Sequence, residues 1–341
     1  MHNIPLDQLQ QFAKSLLLKG GFSEQHATDT ANVLTWADAR GSASHGVLRI
    51  PRYVEMVESG EINTAATLSK ELSDNAIAVL NANKMPGASA MLACMEEAIN
   101  IANQYAIGWC SIKNITHAGA VGYYALKAAE RGMVGVVMSA SKPLMAYHGA
   151  RASGLSTNPI SVAVPKANNP LLLDMSTSTV ALGKILHAKD AQKEIPLDWG
   201  IDSTGSPTTD ATKVETLTPL GGPKGSGLSL MIEILASVLI SNPVISEALA
   251  GKKSTMNGLA LVLDIKRFTD PEVFARQINE LVSSLYQLPK AQGTESILMP
   301  GERGFELAKV RLNEGISLTQ GTASRLIDLA EKLEVPVPQS N

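Results

Sequence analysis

Two short apolar runs, Ile160–Val164 and Leu171–Asp174, are separated by a brief linker ending in the turn-forming Asn168, Asn169 and Pro170. A parallel crossover needs a dozen or more residues, so this pair is most simply antiparallel and the sheet that holds it is mixed. Other apolar segments alternate with helical periodicities around it. Ala76–Leu80, Gly108–Ile112, Met133–Met138 and Leu259–Ile265 read as strands, and Pro86–Tyr105, Val121–Arg131, Leu228–Ile240 and Pro271–Tyr286 as helices. At the N-terminus, Leu6, Leu9, Phe12, Leu16 and Leu17 recur at helical spacing up to Gly20 and Gly21. Ser23 then opens a second helix through Val33, Leu34 and Ala37, and a third lies around Tyr53–Val57. A last helix covers Ala323–Leu333, while the polar, proline-rich Gln192–Pro219 reads as a long loop or hairpin excursion. The expectation is a helical module built from the two termini around a central mixed sheet.

The chain has 341 residues, 45% of them hydrophobic, enough for a sizeable core in roughly one to three domains. A net charge of -3, with the 29 Lys and Arg scattered, removes the attraction to phosphate backbones that a nucleic-acid binder shows. Cys94 and Cys110 form no CxxC pair and read as reduced core residues. The N-terminus shows neither a basic flank nor an apolar run, so no secretory signal is expected. The longest apolar stretch, Leu228–Ile240, is about thirteen residues, contains Glu233 and falls short of the ~20 that span a bilayer. A cytoplasmic protein with no membrane and no nucleic-acid partner is expected.

Chemistry concentrates in a few places. His45 lies in Ser44-His45-Gly46, with Arg49 four residues on. If helix resumes there, imidazole and guanidinium share a face, a pairing that suits a 2-hydroxy or 2-oxo acid. A capped helix start with a partly exposed histidine is the plainer alternative, and Pro51 blurs the helix assignment. His117, in Thr116-His117-Ala118-Gly119, sits in a loop at a strand end, where sites are commonly built, or is a structural histidine held by a backbone carbonyl. His2, His26, His148 and His187 carry no partner spacing and read as surface or packing residues. Asp174 ends a buried strand and needs a partner, either a histidine or the amides of the next segment. Gly221-Gly222-Pro223-Lys224-Gly225-Ser226-Gly227 runs into an apolar helix, so it is either a pyrophosphate site or a plain turn. There is no Walker A loop, no GxGxxG after a strand, and no HxxxH or HExxH, so neither an ordinary dinucleotide fingerprint nor a metal site is expected.

In order along the chain, Ala37-Asp38-Ala39-Arg40-Gly41, Ser44-His45-Gly46 with Arg49, Thr157-Asn158-Pro159-Ile160, Asp174-Met175-Ser176-Thr177, Gly205-Ser206-Pro207-Thr208-Thr209-Asp210, Gly222-Pro223-Lys224-Gly225 and Pro300-Gly301-Glu302 resemble the malate/L-lactate dehydrogenase family of NAD(P)-dependent oxidoreductases. The resemblance covers nearly the whole chain. It implies a non-Rossmann α/β (α+β) fold whose central sheet is mixed and largely antiparallel. Residues 76–305 would bind NAD or NADP, and residues 1–75 with 306–341 would form a helical substrate and dimerisation domain. The implied molecule is a homodimer whose subunits complete each other's sites. By this similarity His45 is the acid/base group, with Ser44 and Asp174 orienting its proton, and His117 is the histidine that some members use instead. Arg49, Tyr53 and Lys142 would meet substrate. Ser141, Thr157, Asn158, Pro159, Asp174, Met175, Ser176, Lys224, Gly225, Gly301, Glu302 and Arg303 would meet the cofactor.

Three positions depart from the family pattern. Ser156 stands where Gly often precedes Thr-Asn-Pro, His148-Gly149 replaces a usual Gly-Gly pair, and Lys142 replaces the acidic residue of ureidoglycolate enzymes. The first two leave the choice of NAD or NADP open; the third suits a second anionic group on the substrate. The leading expectation is hydride transfer between NAD(P)H and a 2-oxo acid, giving an L-2-hydroxy acid of malate, lactate or sulfolactate type. Ureidoglycolate oxidation and diketogulonate or cyclic imino acid reduction are alternatives within the family. Outside it stand a Ser44-His45-Asp174 hydrolase and a non-catalytic binding protein.

Overall fold

The computed structural model describes residues 3–190, 192–253 and 255–338. His2 and the side chain of His187 lie outside the described residues. Helix α1 (Leu6–Lys19) buries Leu9, Phe12, Ala13, Leu16 and Leu17 along one stripe. Helix α2 (Glu24–Ala39) is capped by the Ser23 side chain, which accepts the His26 amide at 3.3 Å. Two single 3-10 turns, Ala43–His45 and Val47–Arg49, intervene before α3 (Ile50–Glu58), whose first turn tolerates Pro51. His45 and Arg49 therefore do not share an α-helical face as the spacing suggested, because extended backbone at Gly46 separates their two turns.

The chain continues through β1 (Ser69–Asp74), β2 (Ile77–Asn81), α4 (Gly87–Tyr105), β3 (Ile107–Ile115), α5 (Gly122–Ala129), β4 (Val134–Ala140), β5 (Met145–Ala146), β6 (Ser153–Leu155), β7 (Ile160–Val164) and β8 (Leu171–Met175). Then come α6 (Leu182–Asp190), β9 (Gly200–Ile201), β10 (Thr216–Leu217), α7 (Pro223–Ala236), α8 (Ile245–Leu249), β11 (Met256–Leu263), α9 (Pro271–Tyr286), α10 (Glu302–Glu314) and α11 (Gln320–Lys332). Seven strands form one sheet in the order β1-β2-β3-β11-β4-β7-β8. Only β2 and β3 run parallel, and α4 supplies their crossover; all other neighbours are antiparallel, including β7 and β8 with Ser161 opposite Asp174. The sheet is mixed and largely antiparallel, and it is no doubly wound parallel sheet.

Period-two alternation divides its faces. Val137, Ala260 and Val262 pack into the large core shared with α4 and α5, whereas Met138 and Leu259 turn the other way toward Ala236 and Leu235 of α7. Helix α7 starts at Pro223, ahead of the expected Leu228. With the turn after it, Pro223–Ile240 is long and apolar enough by length and composition to cross a membrane, which corrects the shorter stretch read from sequence. Ile232, Glu233 and Ala236 are buried, as in a helix packed on a sheet. A second apolar cluster joins the two ends of the chain: Leu9, Leu16, Leu34, Ile50 and Val54 pack with Ile316, Leu326 and Leu329. Ile4 and Ile316 exchange backbone hydrogen bonds of 3.0 and 2.8 Å there. A small four-stranded sheet, β6-β5-β10-β9, includes β9 and β10, which pair antiparallel within the stretch read as a long loop or hairpin excursion. Cys94 and Cys110 are buried and free.

Candidate functional site

The site begins with Asp38, at the end of α2. Its carboxyl is 3% exposed and accepts the Val47 amide at 2.7 Å, holding the turn that leads into α3. A Cβ at position 46 would lie 1.9 Å from Asp38 Oδ1, so only glycine fits beside it. Burial pushes this carboxyl up to about 7, against the Val47 hydrogen bond and the Arg311 charge. The turn so fixed presents Ser44, His45 and Arg49. Ser44 Oγ lies 3.0 Å from His45 Nδ1, and Arg49 Nε donates to the Ser44 carbonyl at 2.7 Å. Among the described residues the two terminal nitrogens of Arg49 have no hydrogen-bond or ion-pair partner, leaving the fork open for a carboxylate.

From the loop after β3, His117 comes to meet this turn. Its ring stacks against that of His45, with centroids 5.7 Å apart and planes at 20°. Its Nδ1 lies 2.7 Å from Tyr53 Oη and accepts the Gly119 amide at 3.2 Å. Tyr53, expected to touch substrate, is buried and spends its hydroxyl on His117. Burial, reinforced by Arg49, lowers the His45 imidazole to about 4. Burial, then Arg49 and then His45, holds His117 well below the usual histidine range. Both rings are therefore neutral at pH 7 with no ligand bound. Neither Nε2 has a hydrogen-bond partner among the described residues, and neither is sealed from solvent.

Asp174 belongs elsewhere. It accepts the Gly122 amide at 3.2 Å at the start of α5, and no hydrogen bond joins it to either histidine. The expectation that it orients the His45 proton is corrected, and with it the Ser44-His45-Asp174 hydrolase relay: the backbone of α5 satisfies this carboxylate. Asp174 opens to solvent on one side, yet desolvation by its surroundings raises it to about 6, opposed by the Gly122 bond and by Arg40. Arg40 is held between the rings of Trp36 and Phe305, 5.0 and 4.0 Å from their centroids, and donates to the Gly301 carbonyl at 3.1 Å. Burial lowers it to about 10.

The remaining expected cofactor segments converge along β8 and the start of α7. Thr177 N bonds Thr157 O at 3.0 Å, Leu220 N bonds Thr177 O at 2.9 Å, and Leu172 N bonds Pro300 O at 3.0 Å. Several of their side chains prove to be braces. Asn158 is buried, accepting from Ser141 N at 3.3 Å and donating to Ser229 O at 3.0 Å. Glu302 accepts from Met299 N and Tyr286 Oη at 2.8 and 3.0 Å. Ser141 Oγ lies 2.5 Å from Ser156 Oγ, and Met175 pairs with Ile160 across β7 and β8. Of the two readings of the glycine loop, the backbone follows the plain turn. Positive φ at Gly221 and Gly222 folds it back, so the amides of Gly222, Lys224 and Gly225 bond to Pro219, Gly221 and Leu220 carbonyls rather than face an anion. A Cβ at Gly225 would meet Leu220 N and Thr177 O at 2.4 and 2.5 Å.

What stays open is cationic and hydroxylic. Lys224, Lys142 and Arg303 are exposed, Thr157 and Ser176 partly so, and Thr177 Oγ1 is buried without a partner. This donor set fits the phosphates and ribose of a dinucleotide. No cluster of metal-ligating side chains occurs among the described residues. Asp38 and the Arg40 sandwich were missed as functional supports, although a carboxylate directly after the apolar Val33, Leu34, Trp36 and Ala37 at the end of α2, with a guanidinium two residues on, was a signal that they needed partners. Gly183 at the start of α6 was missed too: a Cβ there would lie 2.7 Å from Ser44 Cβ, so α6 backs the site.

Comparisons with known proteins find relatives over nearly the whole chain. A family model described as malate/L-lactate dehydrogenase matches residues 4–327. The malate/(S)-sulfolactate dehydrogenase of Methanothermus fervidus is 34% identical over 321 residues, 92% of this chain and 93% of that protein. The ureidoglycolate dehydrogenase (NAD(+)) of Escherichia coli is 31% identical over 332 residues, 95% of each. The crystal structure of malate dehydrogenase from Entamoeba histolytica superposes with a TM-score of 0.93 at 26% identity, covering 99% of both chains.

Proposed function

Because the chain belongs to the malate/L-lactate dehydrogenase family and is an oxidoreductase acting on the CH-OH group of a hydroxy acid, we propose that it interconverts a 2-oxo acid and an L-2-hydroxy acid carrying a second anionic group, with NAD or NADP as partner. The observation that carries this reading is the pair of imidazoles whose Nε2 atoms have no partner among the described residues, beside a guanidinium whose terminal nitrogens have none there either. Arg49 would grip the substrate carboxylate in two parallel hydrogen bonds. That places the neighbouring carbonyl or hydroxyl oxygen at the histidines, where proton transfer is worth about 10²- to 10⁴-fold in rate. A bound nicotinamide supplies or takes up the hydride. Lys224, Ser141, Thr157, Ser176 and Arg303 would hold the dinucleotide; the E. coli relative is named for NAD(+), which makes NAD the first partner to test.

Lys142 supports the choice of substrate. It directly follows Ser141 at the end of β4, is exposed, and has no hydrogen-bond or ion-pair partner among the described residues. A second carboxylate or a sulfonate would neutralise it, whereas a ureido group or a cyclic imino acid would not. The test follows nicotinamide absorbance with oxaloacetate, sulfopyruvate, pyruvate, a cyclic imino acid and ureidoglycolate, each with both cofactors. The dianionic acids should lead by kcat/KM, and Lys142→Ala should narrow that lead by about tenfold or more. Turnover confined to ureidoglycolate or the imino acid would overturn the substrate assignment; no turnover with any of them would overturn the function.

The division we propose groups residues 1–75 and 306–341 as the helical unit and 76–305 as the dinucleotide unit, with Ser69–Asp74 going to the sheet in which it pairs. A homodimer is supported by apolar side chains left exposed on α7 and the turn after it, Met231, Ile234, Val238 and Leu239. Free, buried Cys94 and Cys110 support a reducing, cytoplasmic setting.

A further inference from the structure

His45 and His117 look interchangeable by position, but the partners of their Nδ1 atoms differ in chemistry. Ser44 Oγ, 3.0 Å from His45 Nδ1, is a hydroxyl that rotates to donate or to accept. It satisfies the neutral ring and the imidazolium alike. His117 Nδ1 instead accepts the Gly119 amide at 3.2 Å, with Tyr53 Oη at 2.7 Å. A backbone N-H only donates, so this nitrogen keeps its lone pair and the ring proton resides on Nε2. Turning the ring over would press a C-H group against Tyr53 Oη, which fixes the orientation.

Adding a proton to His117 would set N-H against N-H at Gly119. It would also place a cation among the groups that face the ring: Arg49 from the turn before α3, Tyr53 from α3, and the stacked His45. Resting on the 2-oxo acid reading of the site, we propose that His45 alone cycles the catalytic proton, while His117 is a permanently neutral donor whose Nε2-H holds the substrate oxygen, with Tyr53 and the Gly119 amide as its positioning groups. In reduction a bound reduced nicotinamide would supply the hydride for the new C-H bond as the carbonyl π bond breaks. His45 takes a proton from solvent as the substrate carboxylate binds beside it; the oxygen then takes that proton from His45 Nε2, leaving His45 neutral, and His117 Nε2-H donates a hydrogen bond before and after. In oxidation the same proton returns to His45.

Two readouts test the assignment. The first is nitrogen NMR of isotope-labelled imidazoles in the full chain, with and without oxamate, the signals assigned through His45→Gln and His117→Gln. His117 should show the neutral Nε2-H tautomer from pH about 8 to about 5, while His45 moves toward imidazolium as pH falls or oxamate binds. A proton on His117 Nδ1 in any of these states overturns the proposal. The second is the pH profile of kcat/KM for 2-oxo acid reduction. His117→Gln keeps an N-H donor near the former Nε2, so it should cost about tenfold, less than the ~10²- to 10³-fold of deleting a donor, and leave the profile's shape unchanged. His45→Gln should flatten the profile, and the reverse pattern would exchange the roles. If no 2-oxo acid is turned over, the functional reading falls, while the NMR still decides the tautomer.

Discussion

Asp38 shows how one buried carboxyl organises the site while titrating far from its ordinary range. Burial holds it at about 7 in the folded protein against an ordinary 3.8, so between these limits the native state holds more proton than the unfolded chain. Stability from this group is then fully present below the lower limit and is lost as pH rises toward the upper one. Asp38→Asn keeps an oxygen for the Val47 amide and removes the charge. Its melting temperature should therefore gain on the wild type as pH rises from about 4 to about 8, by the equivalent of a few kcal/mol at roughly 1.4 kcal/mol per pKa unit. The depressed histidines act in the opposite sense but are common to both proteins, so the difference isolates Asp38. A gap independent of pH would contradict this account. At this scale the sequence showed the Ser44, His45 and Arg49 cluster, because those residues lie within one turn of chain. It hid the Tyr53–His117 pair, whose members are 64 residues apart and meet only through tertiary packing.

Elements with a clear apolar period were legible. The stretch Pro271–Tyr286 matches α9, Ile160–Val164 matches β7, and the antiparallel pairing with β8 follows from the short linker. Strand β1 was missed because Ser69–Asp74 is exposed along its whole length and carries no alternation. Helix α10 was missed because none of its residues is buried. The two-residue β9 and β10 pair with each other, and β10 joins the small sheet only through distant β5, which no local pattern encodes. At the start of α7 the glycines read either as an anion cradle or as a plain turn; their amides turn inward, as in the plain turn, leaving Lys224 as the exposed cation of that loop. Dinucleotide affinity should thus depend on the Lys224 side chain and on salt. Lys224→Ala should weaken binding by about tenfold, with a shallower salt dependence, in a fluorescence titration. Unchanged affinity would reduce the loop to a structural turn.

For the whole molecule, the apolar stripe of Met231, Ile234, Val238 and Leu239 is a surface whose exposure the proposed homodimer would explain. Ile234→Glu with Val238→Glu should shift the protein from dimer to monomer in sedimentation, with secondary structure intact. A dimer that survives the charges would place the interface elsewhere. The proposed function rests on one spatial arrangement, in which a dinucleotide along β8 and the start of α7 would bring its nicotinamide to an acid held by Arg49, beside His45 and His117. A crystal structure of the protein with reduced dinucleotide and oxamate tests it directly. The prediction is an oxamate carboxylate on the Arg49 terminal nitrogens, its carbonyl oxygen within hydrogen-bond distance of both Nε2 atoms, and dinucleotide phosphates at Lys224. Oxamate bound away from Arg49, or a dinucleotide that leaves the Lys224 loop empty, would contradict it.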